Sequence, residues 1–243
     1  MNGIILAGGT GSRLYPLTKV TNKHLLPVGK SPMIEHCVYK LTSVGIEEIV
    51  VVTGTEHMGD IVSLLGSGKN YGCKFTYKVQ DQPDGIAGAL SLCENSCKES
   101  NGVVVLLGDN IFEDSLIDSI NIFNSSQDIK SKCVLNLKEV KNPSRFGVAT
   151  IEDGRVLEVI EKPKNPKSNY CVTGIYVYSN DVFDVIKTLQ KSDRGEYEIT
   201  DVNNFYIKSG RCKFNTIEGW WTDAGTHSSY AHANLLLYNI DKK

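Results

Sequence analysis

The chain of 243 residues lacks the features that mark several large protein classes. It has no apolar stretch near the ~20 residues that a membrane-spanning helix needs, and its first residues do not show a basic region followed by an apolar one. Its net charge is only −2, so composition gives no bulk attraction to nucleic acid or to an anionic membrane surface. We therefore expect a cytoplasmic protein with no nucleic-acid and no membrane partner.

Cysteine and histidine are present but never in the pattern of a metal or redox site. The seven cysteines are scattered, and no two of them are separated by only two residues. Zinc-ribbon and thioredoxin-type motifs are therefore excluded. The five histidines form no cluster with ligand spacing either. We expect reduced thiols and no catalytic histidine.

Apolar runs alternate with amphipathic stretches over the first half of the chain. Strands are predicted at Ile4–Ala7, Glu48–Thr53, Lys74–Val79 and Val103–Leu107, and helices at Met33–Val44, Met58–Leu65 and Ile86–Cys97. This alternation is typical of right-handed βαβ units that build a parallel sheet.

The pattern changes after about residue 130. Strands are predicted at Cys133–Leu137, Gly147–Ile151, Val156–Ile160, Cys171–Tyr178 and Cys212–Ile217, and helices at Val182–Leu189, Ile199–Ile207 and Ser228–Leu237. Residues Glu152–Arg155 carry the signal of a hairpin turn. We predict an α/β fold with a Rossmann-like, mixed but mainly parallel central sheet flanked by helices. A smaller, more antiparallel sheet lobe accompanies it, and whether its strands join the first sheet is open.

A glycine-rich loop follows the first strand at once, with Gly8, Gly9 and Gly11. Glycine lets the backbone pass close to a ligand and present its N–H groups. Arg13 then supplies a planar cation and Lys23 a compact one. The combination predicts a site for a triphosphate, although the glycines alone would also suit a tight turn.

Two better-known phosphate loops do not match this stretch. A Walker A loop requires a glycine where His24 stands, ahead of Gly29-Lys30-Ser31. The dinucleotide fingerprint G-x-G-x-x-G requires a third glycine where Leu14 stands. The loop therefore matches neither motif, and both a phosphate site of another class and a tight turn remain open.

Eight blocks of the sequence resemble the signature of the sugar-1-phosphate nucleotidylyltransferases. They occur in the family's order at Gly3–Val28, Val79–Ala89, Leu107–Asn110, Ser144–Gly147, Glu161–Pro163, Val172–Gly174, Arg194–Asp201 and Trp221–Thr226. Within the family, the chain is most similar to short-form glucose-1-phosphate thymidylyltransferases. The resemblance implies transfer of a nucleotidyl group from dTTP or UTP to α-D-glucose 1-phosphate. The products would be dTDP-glucose or UDP-glucose and pyrophosphate, formed by Mg²⁺-dependent in-line displacement.

The resemblance also implies a role for individual residues. The implied catalytic residues are Arg13, Lys23, Asp109, Lys162 and Asp223, with Asp109 and Asp223 as the Mg²⁺ ligands. The implied nucleotide-binding residues are Leu6, Gly8, Gly9, Thr10, Gly11, Arg13, Gln80, Pro83, Gly85 and Asp109. The implied sugar-phosphate-binding residues are Gly147, Glu161, Lys162, Val172, Gly174, Tyr176 and Arg194. Residues 1–243 would then form one nucleotidyltransferase domain, with a nucleotide-binding lobe of about 1–130 and 217–243 and a sugar-binding lobe of about 131–216.

Each of these residue types suits its implied role but also has an ordinary structural explanation. Asp109 follows the most hydrophobic strand, where ligand sites of open α/β sheets lie, but aspartate there is also a common helix N-cap. Asp223 precedes a glycine in a segment that would also suit a turn. Lys162 could hold a phosphate or be a solvated charge at a strand end. Val172 could equally serve strand packing.

The chain departs from the family's pattern at three positions. His24 stands where the thymidylyltransferases carry glutamine, Gly88 replaces another glutamine, and Phe146 replaces a tyrosine. These departures affect contacts to the base and sugar, whereas the phosphate and metal residues are unchanged. The alternatives are a nucleotidylyltransferase for another sugar 1-phosphate and a non-catalytic regulatory protein on the same fold. The resemblance further implies a homo-oligomer and a place in nucleotide-sugar biosynthesis, as in the dTDP-rhamnose pathway.

Overall fold

The computed structural model describes residues 1–125 and 132–240. Its first strand shows why the sheet is covered by helices on both faces. In β1 (Asn2–Ala7), Ile4 and Leu6 pack into the core on one face of the sheet. Ile5 and Ala7 pack into a second core on the other face. A parallel strand with both faces buried requires helices on both sides of the sheet.

The parallel half of the sheet is built around β1. The strands β4 (Glu48–Gly54) and β6 (Val103–Leu107) flank β1, and β5 (Lys74–Gln80) lies beyond β4, all in parallel. The helices of this half are α1 (Met33–Thr42), α2 (Met58–Leu65), α3 (Ile86–Ser91) and α4 (Glu94–Cys97). The predicted alternation of strands and helices is confirmed.

The single helix predicted over Ile86–Cys97 is wrong, because the chain forms α3 and α4 instead. After Leu90 the backbone N–H groups donate to the carbonyl three residues earlier in the chain instead of four. The Cys93 N–H donates to the Leu90 carbonyl at 3.0 Å, and the Ser96 N–H donates to the Cys93 carbonyl at 3.0 Å. This tightening breaks the helix while Cys93 and Cys97 both remain fully buried.

The second half of the chain extends the same sheet. It contributes β8 (Cys133–Glu139), β9 (Gly147–Glu152), β10 (Arg155–Glu161), β11 (Tyr170–Tyr178) and β12 (Cys212–Thr216). The strand β11 pairs antiparallel with β6, so these five strands and the four parallel ones form one nine-stranded sheet. Its order is β10-β9-β11-β6-β1-β4-β5, with β8 on β11 and β12 on β8. The antiparallel strands are therefore not a separate layer. The lobe boundary predicted at 130/131 lies outside the described residues.

The predicted hairpin turn at Glu152–Arg155 connects β9 to β10. Arg155 pairs with Glu152 in the antiparallel register. Asp153 and Gly154 both have left-handed backbone, with φ of 47° and 72°. Two consecutive positive φ values match the right-handed twist of the flanking strands, and Asp-Gly is the sequence that tolerates them best.

Two small ribbons, four further α-helices and four short 3₁₀-helices complete the described structure; the 3₁₀-helices are Ser12–Leu14, Lys23–Leu25, Lys69–Tyr71 and Pro143–Arg145. The ribbons pair β2 (Pro27–Val28) with β3 (Ser31–Pro32), and β7 (Asn110–Phe112) with β13 (Trp221–Asp223). The remaining helices are α5 (Ile117–Ser125), α6 (Val182–Lys187), α7 (Ile199–Lys208) and α8 (His227–Ile240). No helix among residues 1–125 and 132–240 has the length and apolar character to cross a membrane.

Candidate active site

The glycine loop leaves β1 and passes beside a lysine. Gly11 has φ of 69°, and its carbonyl accepts a hydrogen bond from the Thr18 hydroxyl at 2.9 Å. A Cβ added to Gly9 would lie 3.2 Å from the Lys23 Cε atom. The absence of a side chain at Gly9 therefore gives Lys23 room to run along the loop.

A buried ion pair lies at the centre of the site. The Lys23 ammonium donates to the Asp109 Oδ2 atom at 2.5 Å, and each side chain is 12% exposed. Burial alone raises the pKa of Asp109, but the Lys23 charge and hydrogen bonds from Lys23 and Asn110 outweigh it. Together they hold the pKa of Asp109 well below its usual range. Asp109 is therefore a carboxylate at neutral pH.

The ribbon of β7 and β13 brings a second carboxylate to Asp109. Asp223 pairs with Asn110 in the register, and the Ala224 N–H donates to the Asp109 carbonyl at 2.7 Å. Burial raises the pKa of Asp223, while the Arg145 guanidinium, 3.3 Å from its Oδ2 atom, acts in the opposite direction. The alternative that Asp109 caps a helix is wrong, because β7 follows it.

Gly225 leaves space between a cation and a carboxylate. A Cβ added there would lie 3.2 Å from both the Arg13 Nη2 atom and the Asp109 Oδ2 atom. In the described part of the chain no group of three or more metal-ligating side chains occurs. Two neighbouring carboxylates nevertheless fit Mg²⁺, which binds one or two carboxylates and completes its shell with phosphate oxygens and water.

A lysine with strained backbone follows β10. Lys162 has φ of 44°, although it is not glycine and precedes Pro163. Its N–H donates to the Phe146 carbonyl at 3.0 Å, and its ammonium lies 3.2 Å from the Glu161 Oε1 atom. Such a conformation costs about 1–3 kcal/mol and is concentrated at functional sites. The role of Lys162 in binding a phosphate stays a prediction.

Hydrogen bonds fix the carboxylates and the arginine around Lys162. The Thr200 hydroxyl donates to the Glu161 Oε2 atom at 2.9 Å. Arg194 donates to both carboxylate oxygens of Glu198, at 3.1 and 2.7 Å, and its Nη2 atom lies 3.9 Å from Glu161. This network fixes Arg194 on Glu198 and surrounds the Glu161 carboxylate with Thr200, Lys162 and Arg194.

An irregularity in β11 connects the two sides of the site. Between Val172 and Tyr176 the register of β11 against β8 shifts. There the Gly174 N–H donates to the Asn110 Oδ1 atom at 2.9 Å, and the Trp221 indole donates to the same atom at 2.7 Å. A Cβ on Gly174 would lie 2.5 Å from the Asn110 Nδ2 atom. Bulges commonly lie beside active sites, and this one lets β11 approach Asn110.

Two adjoining hollows collect nearly all the predicted site residues. The first, the nucleotide-side hollow, is lined by Leu6, Gly8, Gly9, Arg13, Lys23, Gln80, Pro83, Gly85 and Asp109 among others. The second, the sugar-side hollow, is lined by Arg13, Asp109, Gly147, Glu161, Lys162, Val172, Gly174, Tyr176, Arg194 and Asp223 among others. Arg13 and Asp109 line both hollows. Thr10 lines a neighbouring hollow instead, and Gly11 lines none of these three.

Sequence reasoning assigned no role to four further residues at the hollows. Asn110 and Arg145 both lie in blocks that carry the resemblance, next to Asp109 and before Phe146. Glu196 lines both hollows. His24 lines the nucleotide side, with its Nδ1 atom 2.6 Å from the Asn22 Oδ1 atom. Burial lowers the pKa of His24 to about 3, so its ring is neutral at physiological pH.

Comparison with known proteins agrees with this arrangement. The model of the nucleotidyl transferase family matches residues 2–239. The chain belongs to this family. It is an enzyme of the nucleotidyltransferase type, and the family's mixed α/β fold is the one described above.

Individual relatives of this nucleotidyltransferase share its whole length. Glucose-1-phosphate thymidylyltransferase of Mycobacterium tuberculosis (strain ATCC 25618 / H37Rv) is 40% identical over 247 residues, which covers 100% of this chain and 84% of the relative. The low-salt glycan biosynthesis nucleotidyltransferase Agl11 of Haloferax volcanii is 40% identical, with coverage of 98% and 66%. A Bacillus anthracis protein assigned as a glucose-1-phosphate thymidylyltransferase, solved in complex with sucrose, is 55% identical with a TM-score of 0.92. That match covers 98% of this chain and 95% of the other.

Proposed function

We propose that this nucleotidyltransferase transfers the nucleotidyl group of dTTP or UTP to α-D-glucose 1-phosphate in a Mg²⁺-dependent displacement. The observation that carries the proposal is the junction of the two hollows at Arg13 and Asp109, with separate cations on each side. Arg13 and Lys23 face the nucleotide side, and Lys162 lies on the sugar side. Nucleotidyl transfer to a sugar phosphate requires that two anionic substrates meet, and the two hollows join beside the Asp109 carboxylate. The names of the relatives support glucose 1-phosphate as acceptor.

The reaction needs no side chain to remove a proton. An oxygen of the sugar phosphate forms a bond to the α-phosphorus of the triphosphate. The bond from the α-phosphorus to the bridging β-phosphate oxygen breaks, and pyrophosphate leaves with that electron pair. Because a phosphate oxyanion is already a nucleophile, catalysis rests on positioning and on neutralisation of charge. His24, whose pKa burial lowers to about 3, is too weak a base to take such a role.

The charged residues divide the work by position. Arg13 stabilises the departing pyrophosphate, and Lys23 stabilises the charge that develops on the α-phosphate. Lys162 holds the attacking phosphate. Asp109 and Asp223 would hold Mg²⁺, which when bound supplies positive charge to the phosphate oxygens of both substrates.

The proposal is tested by pyrophosphate release over a grid of nucleoside triphosphates and hexose 1-phosphates, each with Mg²⁺ and with a chelator. We expect the highest turnover with a pyrimidine nucleotide and glucose 1-phosphate, and loss of turnover with the chelator. A higher turnover with another hexose 1-phosphate would replace glucose as the acceptor. Binding of nucleotide without turnover in any well would instead indicate a non-catalytic regulator.

A further inference from the structure

One carboxylate beside the nucleotide-side hollow, Asp84, has no role in the displacement. It is half-buried in the loop between β5 and α3. Its Oδ1 atom accepts a hydrogen bond from the Gln80 Nε2 atom at 2.7 Å, and the Gly85 carbonyl accepts from the same atom at 3.2 Å. A carboxylate and a carbonyl can only accept hydrogen bonds. The group of Gln80 that faces them is therefore its NH₂, and its carbonyl oxygen must face away.

The carbonyl oxygen of Gln80 faces the glycine loop. A Cβ added to Gly8 would lie 2.9 Å from the Gln80 Oε1 atom, and both residues line the nucleotide-side hollow. Among the hydrogen bonds of the described residues, this oxygen accepts none. Beside Gly8, the nucleotide-side hollow therefore offers a ligand the Gln80 carbonyl oxygen, which accepts hydrogen bonds, and not the Gln80 NH₂, which donates them.

Gly88 provides the space in which Asp84 lies. A Cβ on Gly88 would be 2.3 Å from the Asp84 Oδ1 atom and 2.7 Å from its Cγ atom. Gly88 is buried inside α3, where alanine is ordinarily the better helix former. The backbone of Asp84 is fixed separately, because its carbonyl accepts from the Tyr197 N–H at 2.7 Å. The carboxylate is thus held against Gln80 from two directions.

We propose that Asp84 is a positioning residue that selects the base of the nucleotide. It fixes the Gln80 amide so that the oxygen meets a pyrimidine whose N3 carries a hydrogen, as in uracil and thymine. Cytosine presents an unprotonated N3, and two facing acceptors leave both groups unpaired. This inference rests on the proposed function, since it specifies which nucleotide the same site uses.

The test compares UTP with CTP, which share the ribose and differ only at the base edge. The ratio of kcat/KM for the two nucleotides is measured with glucose 1-phosphate, and the ratio of Kd values is measured by calorimetry without any sugar phosphate. Asp84→Asn can donate as well as accept, so only the longer contact to the Gly85 carbonyl, at 3.2 Å, still favours this orientation of the Gln80 amide. We expect the preference for UTP to fall by at least about tenfold in both ratios, the scale of one hydrogen bond.

Two further variants separate orientation from charge and folding. Gly88→Ala displaces the carboxylate without changing Asp84 and is expected to lower the UTP preference in the same direction. Asp81→Asn removes the same charge from an exposed position of the same loop and is expected to leave the preference unchanged. A cooperative thermal unfolding transition is required of each variant, as evidence that it is folded, before its nucleotide preference is compared.

Two outcomes would overturn the inference. One is an unchanged UTP:CTP ratio in folded Asp84→Asn, including a parallel loss for both nucleotides, since that pattern indicates a merely structural role. The other is a wild-type protein that binds neither nucleotide. Failure of the proposed function looks different: no pyrophosphate is released with any sugar phosphate, while the ratio of Kd values still responds to Asp84→Asn.

Discussion

Replacement of Asp109 by asparagine removes the charge at the centre of the site and one of its two acceptor oxygens, which the Asn110 amide and Lys23 use. The amide has the same size as the carboxylate, and its oxygen can still accept the hydrogen bond from Lys23. The lost negative charge is the one that the structure pairs with Lys23 at 2.5 Å and brings next to Asp223. We expect a folded protein with turnover reduced by at least ~100-fold.

Two magnitudes set this expectation. Two unit charges 2.5 Å apart attract each other by about 6–7 kcal/mol at an effective dielectric constant of ~20, and desolvation of the buried pair offsets most of that. Removal of one partner of a buried pair costs about 3–5 kcal/mol of stability, and the retained hydrogen bond favours the lower end. For the reaction, loss of one electrostatic stabiliser raises the barrier by about 2.7–4 kcal/mol, or ~100- to 1,000-fold.

The assay is the initial rate of pyrophosphate release at saturating nucleotide, sugar phosphate and Mg²⁺, together with urea unfolding of the same samples. Asp118→Asn is the matched control, because it removes one charge from an exposed position in the first turn of α5. The control should keep wild-type turnover. If folded Asp109→Asn also kept it, Asp109 would be neither a metal ligand nor a source of charge for the reaction.

Three further changes test other parts of the site. Lys162→Ala should raise the KM for the sugar phosphate more than that for the triphosphate, and equal changes in both would contradict its assigned position. Gly225→Ala should lower kcat at least about tenfold with little effect on urea unfolding, because its Cβ crowds Arg13 and Asp109; unchanged kcat would show that the gap is not used. His24 has its pKa lowered from 6.5 to about 3, so below pH 6.5 the unfolded chain takes up a proton that the native chain does not. The free energy of unfolding, measured with urea, should therefore fall by about 1.4 kcal/mol per pH unit between pH 6.5 and pH 5 because of His24. This contribution should be absent in His24→Gln. The same pH dependence of the free energy of unfolding in both proteins would show that the pKa of His24 is not lowered.

Features that depend on neighbouring residues were predictable from the sequence. The uninterrupted apolar runs in β1 and β6 indicate buried parallel strands because side chains on both faces must be apolar. The glycine loop, Arg13 and Lys23 lie within one short stretch, so a shared site could be predicted, and Gly8, Gly9, Arg13 and Lys23 do line one hollow. The turn at Asp153-Gly154 is also encoded locally, in residues that tolerate positive φ.

Features that depend on distant pairing were not predictable. Nothing in the local pattern of β11 says that it pairs with β6, since either sheet edge would bury its apolar side chains. The approach of Asp223 to Asp109 depends on the ribbon of β7 and β13, and strands of three residues are too short to show a period. The contact of Gln80 with Asp84 depends on the space at Gly88, which only the folded backbone reveals.

The continuity of the sheet through β6 limits how this enzyme can be recombined. Because β6 pairs with β1 on one side and with β11 on the other, the parallel and the antiparallel strands share one central strand. A chimera that takes its β8–β12 region from a distant relative must therefore also preserve the pairing of β6 with β11 and the hydrogen bond between Asn110 and Gly174. We therefore expect point substitutions in the sugar-side hollow to disturb the sheet less than exchange of the whole β8–β12 region.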